Sequence, residues 1–312
     1  MKIIEYAYGQ TPAVTDCALA LGYFDGLHLG HKKLLLTAKE YARANGLSFG
    51  VFTFATSGEV KPGAKKILSD SLKAELLRKI GADFVVFADF PSISSLPAEE
   101  FARRVLSEAF KAKIAIAGFN YRFGKGASGD ADLLTKVMRA LGGEAIICED
   151  YRLGGETVST TRIRDALGVG DMKAAERYLG YTYFASGKVE RGRSVGARLG
   201  FPTLNISIPP HLVRPKSGVY ATVTVADGKA YPSITNLGSC PTFEPRDTHI
   251  ETYLFDFSGD LYGKEVQVYF LEYLREEKRF SDEKELIMQI NVDKNRVNKD
   301  IGDIKWQDFG QS

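Results

Sequence analysis

The sequence predicts two domains of different class. The first is an α/β domain whose parallel sheet carries helices on both faces. The second is a small antiparallel β domain, barrel or sandwich, that ends in a helix. Three observations carry this. The chain has 312 residues, more than one ordinary domain holds. Its first half alternates short apolar runs with segments of helical period. From Tyr181 onward that period gives way to turn-bounded β-rich runs.

In chain order, Ala18–Tyr23 is an apolar run that stops at a turn. Lys32–Asn45 places Leu34, Leu35, Ala38, Tyr41 and Ala42 at helical spacing, and Gly46 stops it. Leu47–Phe54 is strand-like, Asp70–Ile80 is helical and ends at Gly81, and Phe84–Phe87 is β-rich. Pro97 opens a helix through Phe110, with Glu99 and Glu100 in its first turn, where carboxylates suit the dipole. Ile114–Ala117 is a strand, Asp132–Leu141 a helix and Ala145–Cys148 a strand. This β-α alternation is that of a doubly wound sheet. The boundary falls between Gly180 and Gly187, giving domains 1–183 and 184–312. Strands are then expected at Gly218–Val225, Ala230–Asn236, His249–Phe255 and Glu265–Tyr273. A last helix starts near Asp282, where Asp282 and Glu285 form a capping box ahead of apolar Leu286, Ile290 and Val297.

Composition narrows the class. The chain is 44% hydrophobic and 26% charged, as globular proteins are, and its net charge of +2 argues against a dedicated nucleic-acid binder. The three cysteines, Cys17, Cys148 and Cys240, are scattered and form no CxxC, so neither a disulfide framework nor a structural zinc site is expected. The start MKIIEYAYGQ lacks the pattern of a signal peptide, and no apolar run approaches the ~20 residues that span a bilayer. The expected setting is the cytoplasm, with no membrane partner.

The sharpest local signal is GYFDGLHLGH, Gly22–His31. A strand runs into a Gly-rich turn and a helix follows, which points free N–H groups and a positive dipole end at an anion. Two of the four histidines, His28 and His31, sit here three residues apart. Imidazoles so placed donate hydrogen bonds to phosphate oxygens and stabilise charge developing on them. Taken alone, HxxH is as well a helix cap with two surface histidines; its position after an apolar strand and among Gly22, Gly26 and Gly30 favours the anion site. No third histidine or cysteine nearby supports a metal site.

This segment resembles the HxGH nucleotidyltransferases. GFNYRFGKGASGD, Gly118–Asp130, and VSTTRIRDAL, Val158–Leu167, narrow the resemblance to the bacterial bifunctional riboflavin kinase/FAD synthetases. It implies a Rossmann-like domain that adenylates FMN with ATP and releases pyrophosphate. It places Gly22, Phe24, Asp25, Gly30, Asn120, Ser159, Thr160, Thr161 and Arg162 at that ATP, His28 and His31 at the chemistry, and Phe123 beside the flavin. Without it, STTRIR is a helix start with a basic face. One departure stands out. The family usually carries F-x-P-H-P after the second strand, and this chain has TFATSGEVKPG from Thr53, so an altered flavin side is expected there.

The second half opens with GKVERGRSVGARLGFPTLNI, Gly187–Ile206. Its glycines do not form a dinucleotide loop, because the following FPTLNI is extended and contains a proline, and no Walker sequence occurs in the chain. The segment resembles the riboflavin kinase signature G-x-G-F-P-T-A-N. The resemblance implies a small antiparallel β-barrel that phosphorylates riboflavin to FMN, with ADP as the second product. It places Gly196 and Gly200 at ATP, and Thr203 and Asn205 as hard oxygen donors to Mg²⁺ on ATP. SITNLGSCPTF, HIETYLFDFSGDLYGKEV and FLEYLREEKRF continue it; they assign Glu251 as general base and Arg275 to flavin or phosphate. Leu204 for Ala, Ala197 for Arg and Tyr253 for His depart from the pattern and remove neither a donor nor the base. Apart from the family, Glu251 is a solvated strand residue and Arg275 a surface ion-pair residue. The expected function is therefore two-step flavin cofactor synthesis from riboflavin through FMN to FAD. Its rivals are a kinase with an impaired adenylyltransferase domain and a non-catalytic flavin-binding regulator.

Overall fold

The computed structural model of the chain describes residues 1–55, 65–191, 200–239, 248–301 and 309. It divides into two compact units, Met1–Thr160 and Thr161–Ser312.

Unit one is built on six parallel strands: β1 (Lys2–Tyr6), β2 (Cys17–Leu21), β3 (Ser48–Phe54), β4 (Phe84–Ala88), β5 (Ala112–Gly118) and β6 (Glu144–Cys148), in the order β1-β4-β3-β2-β5-β6. Every residue of β2 (CALAL) and β4 (FVVFA) is buried, as happens when both faces of a parallel sheet are covered. The helices are α1 (Leu29–Ala44), α2 (Asp70–Ile80), α3 (Phe90–Ile93), α4 and α5 (Ala131–Ala140). Helix α4 starts over Ala98–Glu100 with Pro97 as its cap and continues over Phe101–Ala109 with wider π-type turns. The Phe110 N–H bonds the Val105 carbonyl at 3.0 Å, five residues back. The core includes Tyr6, Phe52, Phe101 and Phe110 packed edge to face, with Tyr6–Phe110 centroids 4.8 Å apart. From β2 the chain winds one way to β3 and β4, then returns to place β5 on the other side of β2. The order thus reverses between β2 and β5, and ligands of open α/β sheets bind beyond the strand ends at such a point. A two-strand ribbon, β7 (Arg152–Leu153) with β8 (Glu156–Thr157), follows the sheet.

Helix α6 (Thr160–Val169) starts on the last residue of unit one and otherwise belongs to unit two, where α7 (Met172–Leu179) follows it. Six antiparallel strands follow: β9 (Phe184–Lys188), β10 (Thr203–Ile208), β11 (Gly218–Ala226), β12 (Lys229–Ser239), β13 (Thr248–Leu254) and β14 (Glu265–Arg275), in the order β10-β13-β12-β11-β14-β9. The chain just past β9 bonds back to the far edge: the Glu190 N–H donates to the Asn205 carbonyl at 2.8 Å. Of the two expected architectures, the sheet takes the nearly closed barrel. Inside it, five fully buried hydroxyls form one chain, Thr224–Ser233–Thr222–Thr235–Thr252, at 2.8–2.9 Å per link, so the polar groups satisfy one another. On the outer face, Val219, Ala221, Val223, Ile234 and Phe255 pack with Val297 of the last helix, α8 (Glu283–Ile301). The expected capping box forms in modified shape. The Glu285 N–H donates to Asp282 Oδ1 at 2.8 Å, but Glu285 Oε2 accepts from the N–H and hydroxyl of Ser281 rather than from Asp282.

Candidate functional site

The loop from β2 to α1 is the most constrained stretch of unit one. Phe24 (φ 49°), Gly26 (φ 73°) and Leu27 (φ 39°) all take left-handed backbone, a conformation that costs a side-chain-bearing residue about 1 kcal/mol or more. Gly22 has to be glycine, since a Cβ there would lie 2.9 Å from the buried Phe24 ring. Asp25, 2% exposed, accepts from the Ile67 N–H at 2.8 Å and ties the loop to the segment before α2. His28 is the N-cap of α1, and its Nδ1 accepts from the His31 N–H at 3.3 Å. That bond leaves the proton of neutral His28 on Nε2, free to donate. The two imidazoles stack, 3.6 Å between centroids and 16° between planes, and the Phe24 ring meets His31 edge-on. Burial pushes His28 down to about 4. Burial, the neighbouring His28 and the Lys73 cation push His31 well below its ordinary value. Both rings are therefore neutral at neutral pH. His31 Nδ1 is buried without a hydrogen-bond partner. A stacked pair of neutral imidazoles at a helix N-terminus is a donor set for a transferring phosphate.

The sheet brings the second expected segment to the same edge. Ala20 of β2 pairs with Ile116 of β5, so the chain beyond Leu21 and the chain beyond Gly118 leave neighbouring strand ends. Asn120 is exposed just past β5, and Gly30 lies in the first turn of α1. Phe123 is buried, its ring stacked on Tyr121 at 5.6 Å and packed near Phe101 at 5.9 Å. Ser159 immediately precedes α6, and Thr160, Thr161 and Arg162 form its first turn.

In the barrel, register assembles the second set. Asn205 of β10 lies directly across from Glu251 of β13, and Glu251 directly across from Asn236 of β12. The three occupy one row on one face, neighbours separated by the ordinary strand spacing of about 4.8 Å. Thr203 is two residues from Asn205 and so shares its face. Asn205 is 9% exposed, whereas Glu251 is exposed. The Asn236 Nδ2 donates to Glu277 Oε1 at 3.1 Å, and Asn236 Oδ1 is buried without a partner. Gly200 is exposed shortly before β10, while Gly196, Ala197, residues 56–63 of the TFATSGEVKPG stretch and residues 240–243 lie outside the described residues. Arg275 ends β14, and its guanidinium forms a two-pronged pair with Asp293 of α8, Nη2–Oδ2 2.8 Å and Nε–Oδ2 3.0 Å.

Motif reading did not single out three of these groups: Asn236, Glu277 and Lys73. Asn236 lies inside a quoted motif, and only strand register shows that it flanks Glu251. Glu277 lies in a run of charges that sequence alone leaves on a solvated surface. Lys73 had a signal: it stands four and seven residues before Leu77 and Ile80, in line with the apolar stripe of α2.

Known proteins match the chain along its length. A sequence model of the FAD synthetase family matches residues 10–162. One of the riboflavin kinase family matches residues 179–301. The bifunctional riboflavin kinase/FMN adenylyltransferase of Bacillus subtilis (strain 168) is 32% identical over 285 residues, 88% of this chain and 90% of that one. The protein of the same description from Escherichia coli (strain K12) is 32% identical over 302 residues, 94% of this chain and 96% of that one. A crystal structure described as a macrolide-efflux protein from Streptococcus pneumoniae shares the fold at a TM-score of 0.86 and 29% identity, over 96% of this chain and 99% of that one.

Proposed function

The chain belongs to the bifunctional riboflavin kinase/FMN adenylyltransferase family, and we propose how its residues divide the two ATP-dependent reactions. Phosphorylation of riboflavin is the work of 184–312, and adenylylation of FMN the work of 1–183.

In the kinase reaction the riboflavin 5′-oxygen attacks the γ-phosphorus of ATP. The bond from that phosphorus to the β–γ bridging oxygen breaks, ADP leaves, and Glu251 takes the hydroxyl proton. The row Asn205–Glu251–Asn236 supports this, because it sets a carboxylate between two amides on one face. The Thr203 hydroxyl and the Asn205 amide oxygen are hard donors that fit Mg²⁺. Mg²⁺ bound there would neutralise charge on the ATP phosphates. Gly196 and Gly200 are assigned to the same ATP. Arg275, held by Asp293, serves the flavin side by fixing the end of β14.

In the adenylyl reaction a phosphate oxygen of FMN attacks the α-phosphorus of ATP, the bond to the α–β bridging oxygen breaks, and pyrophosphate leaves. His28 Nε2–H and His31 donate to the charged oxygens, helped by the N-terminus of α1. Gly22, Phe24, Asp25 and Gly30 shape the loop; Asn120, Ser159, Thr160, Thr161 and Arg162 are assigned to the same ATP. Phe123 supports the flavin side through Tyr121. The observation that carries this half is the stacked, neutral histidine pair, with one buried nitrogen left unpartnered. We place both reactions in the cytoplasm, with nucleic acid and membrane as no part of the function. The efflux role named for the Streptococcus pneumoniae structure is not carried over: among the described residues no helix is long and apolar enough to cross a membrane, and family membership accounts for both motif sets.

The test is a product assay on the whole chain. With riboflavin and Mg²⁺-ATP, FMN forms first and FAD follows. FMN alone would point to a kinase with an impaired adenylyl domain, and neither product to a flavin-binding regulator.

A further inference from the structure

Lysine is almost never fully buried without a purpose, because taking an ammonium out of water costs several kcal/mol. Lys73, on α2, is 2% exposed. Its Nζ donates to the Tyr23 carbonyl at 3.2 Å and to Thr53 Oγ1 at 3.4 Å, and lies 5.2 Å from the Tyr23 ring centroid and 5.8 Å from that of Phe87. Thr53 Oγ1 in turn donates to the same Tyr23 carbonyl at 2.8 Å. One side chain thus joins α2, the end of β3 and the loop after β2. It does so one residue before Phe24, where that loop enters its left-handed turn.

We propose that Lys73 is a positioning residue of the adenylyl site: it fixes the Tyr23 carbonyl, and with it the loop that presents His28, His31 and the α1 N-terminus. It also places a buried positive charge beneath the triphosphate. The inference rests on the adenylyl reading of the first unit.

The charge has a second effect. It helps hold His31 neutral, so that the stacked pair stays a donor set rather than two repelling cations. The charged groups facing the Lys73 ammonium are Asp25 on the loop, Asp70 on its own helix and Lys66 just before that helix, and the neutral His31 on α1 is the further titratable group beside it. Burial dominates, and Lys66 adds to it; Asp70 and Asp25 oppose it; the balance leaves Lys73 at about 8. Below that pH the group is an ammonium, and above it a neutral amine that has lost its field on the phosphates. FAD formation therefore declines above about pH 8 in kcat/KM. Bound triphosphate favours the cation, so the same limb lies higher in kcat.

The experiment compares wild type, K73M and K73R as full chains, following FMN adenylylation, riboflavin phosphorylation and melting temperature. Methionine keeps the length of the stem and leaves the Tyr23 carbonyl its Thr53 partner. K73M is expected to lower kcat for FAD formation on the order of 10- to 100-fold, the scale of a misplaced site, with KM changed less than kcat. It should leave riboflavin phosphorylation unchanged. Its melting temperature should hold or rise, since an apolar isostere removes the desolvation cost. K73R, cationic at every working pH, should keep partial activity and lose the alkaline limb. The proposal is overturned by K73M with wild-type kcat and pH profile, or by an activity loss matched by a lower melting temperature, which marks a structural role. Absence of FAD from the wild type itself would instead refute the adenylyl reading.

Discussion

A primary hydroxyl ionises far above neutral pH, so riboflavin phosphorylation needs an acceptor for its proton at the moment of attack. Glu251 is exposed on β13, flanked across the sheet by Asn205 and Asn236. Glu251→Gln keeps the shape and removes the acceptor. The rate of FMN formation should fall by roughly 10²–10⁴ while riboflavin and ATP binding change little. Steady-state kinetics with both substrates varied check this; a rate within a few-fold of wild type would move the base to another carboxylate on the same face, with Glu277 first in line. The residues of this scale were unevenly legible. HxxH after an apolar strand was visible in the sequence as a candidate anion site. The depressed basicity of His28 and His31 was not, because it comes from burial and stacking that only the folded loop supplies.

Helix α8 shows how an element can depend on one buried pair. Arg275 and Asp293 are 16% and 6% exposed at the side chain, and the carboxylate also accepts from Gln289 Nε2 at 2.9 Å. Replacing Asp293 with Ala strands a guanidinium against the barrel. Removal of one partner of a buried pair costs about 3–5 kcal/mol, and the partial exposure of Arg275 points to the lower end. The temperature at which kinase activity is lost should therefore fall in Asp293→Ala, while that for adenylylation stays in place; equal temperatures in both variant and wild type would mean that the pair contributes little. Elements with strong local signals were readable beforehand: Asp70–Ile80 with its Gly81 stop, and the apolar runs of β2 to β6. Strand β1 and helix α7 were not anticipated. The burial pattern of β1, with Lys2, Ile3 and Glu5 exposed, gives its sequence KIIEY no clean apolar signal. Helix α7 is eight residues long, too short to show a period by itself.

At the scale of the whole molecule, each of the two proposed reactions has its own stretch of chain. Contacts within unit two tie α6 and α7 to the barrel: the N–H of Lys216, in the connection just before β11, donates to the Leu167 carbonyl of α6 at 2.9 Å, and Lys173 of α7 approaches Glu272 of β14 at 4.0 Å. A chain starting at Thr161 should therefore make FMN and outlast heating better than one starting at Tyr183, which still carries the kinase motifs; inactivity of both, each folded by circular dichroism, would contradict independent sites. The β-α alternation foretold the parallel sheet, and the change of period foretold an antiparallel barrel or sandwich without choosing between them; the row Asn205–Glu251–Asn236 comes from register between strands well apart in sequence, which no local pattern encodes. The most direct measurement of the central claim uses the double variant His28→Ala/His31→Ala, with FMN and FAD formation followed separately. Loss of such phosphate donors should cut FAD formation from FMN on the order of 10²–10³ or more, with FMN formation from riboflavin near wild type. An equal fall in both activities, in a protein that remains folded, would contradict two separate sites.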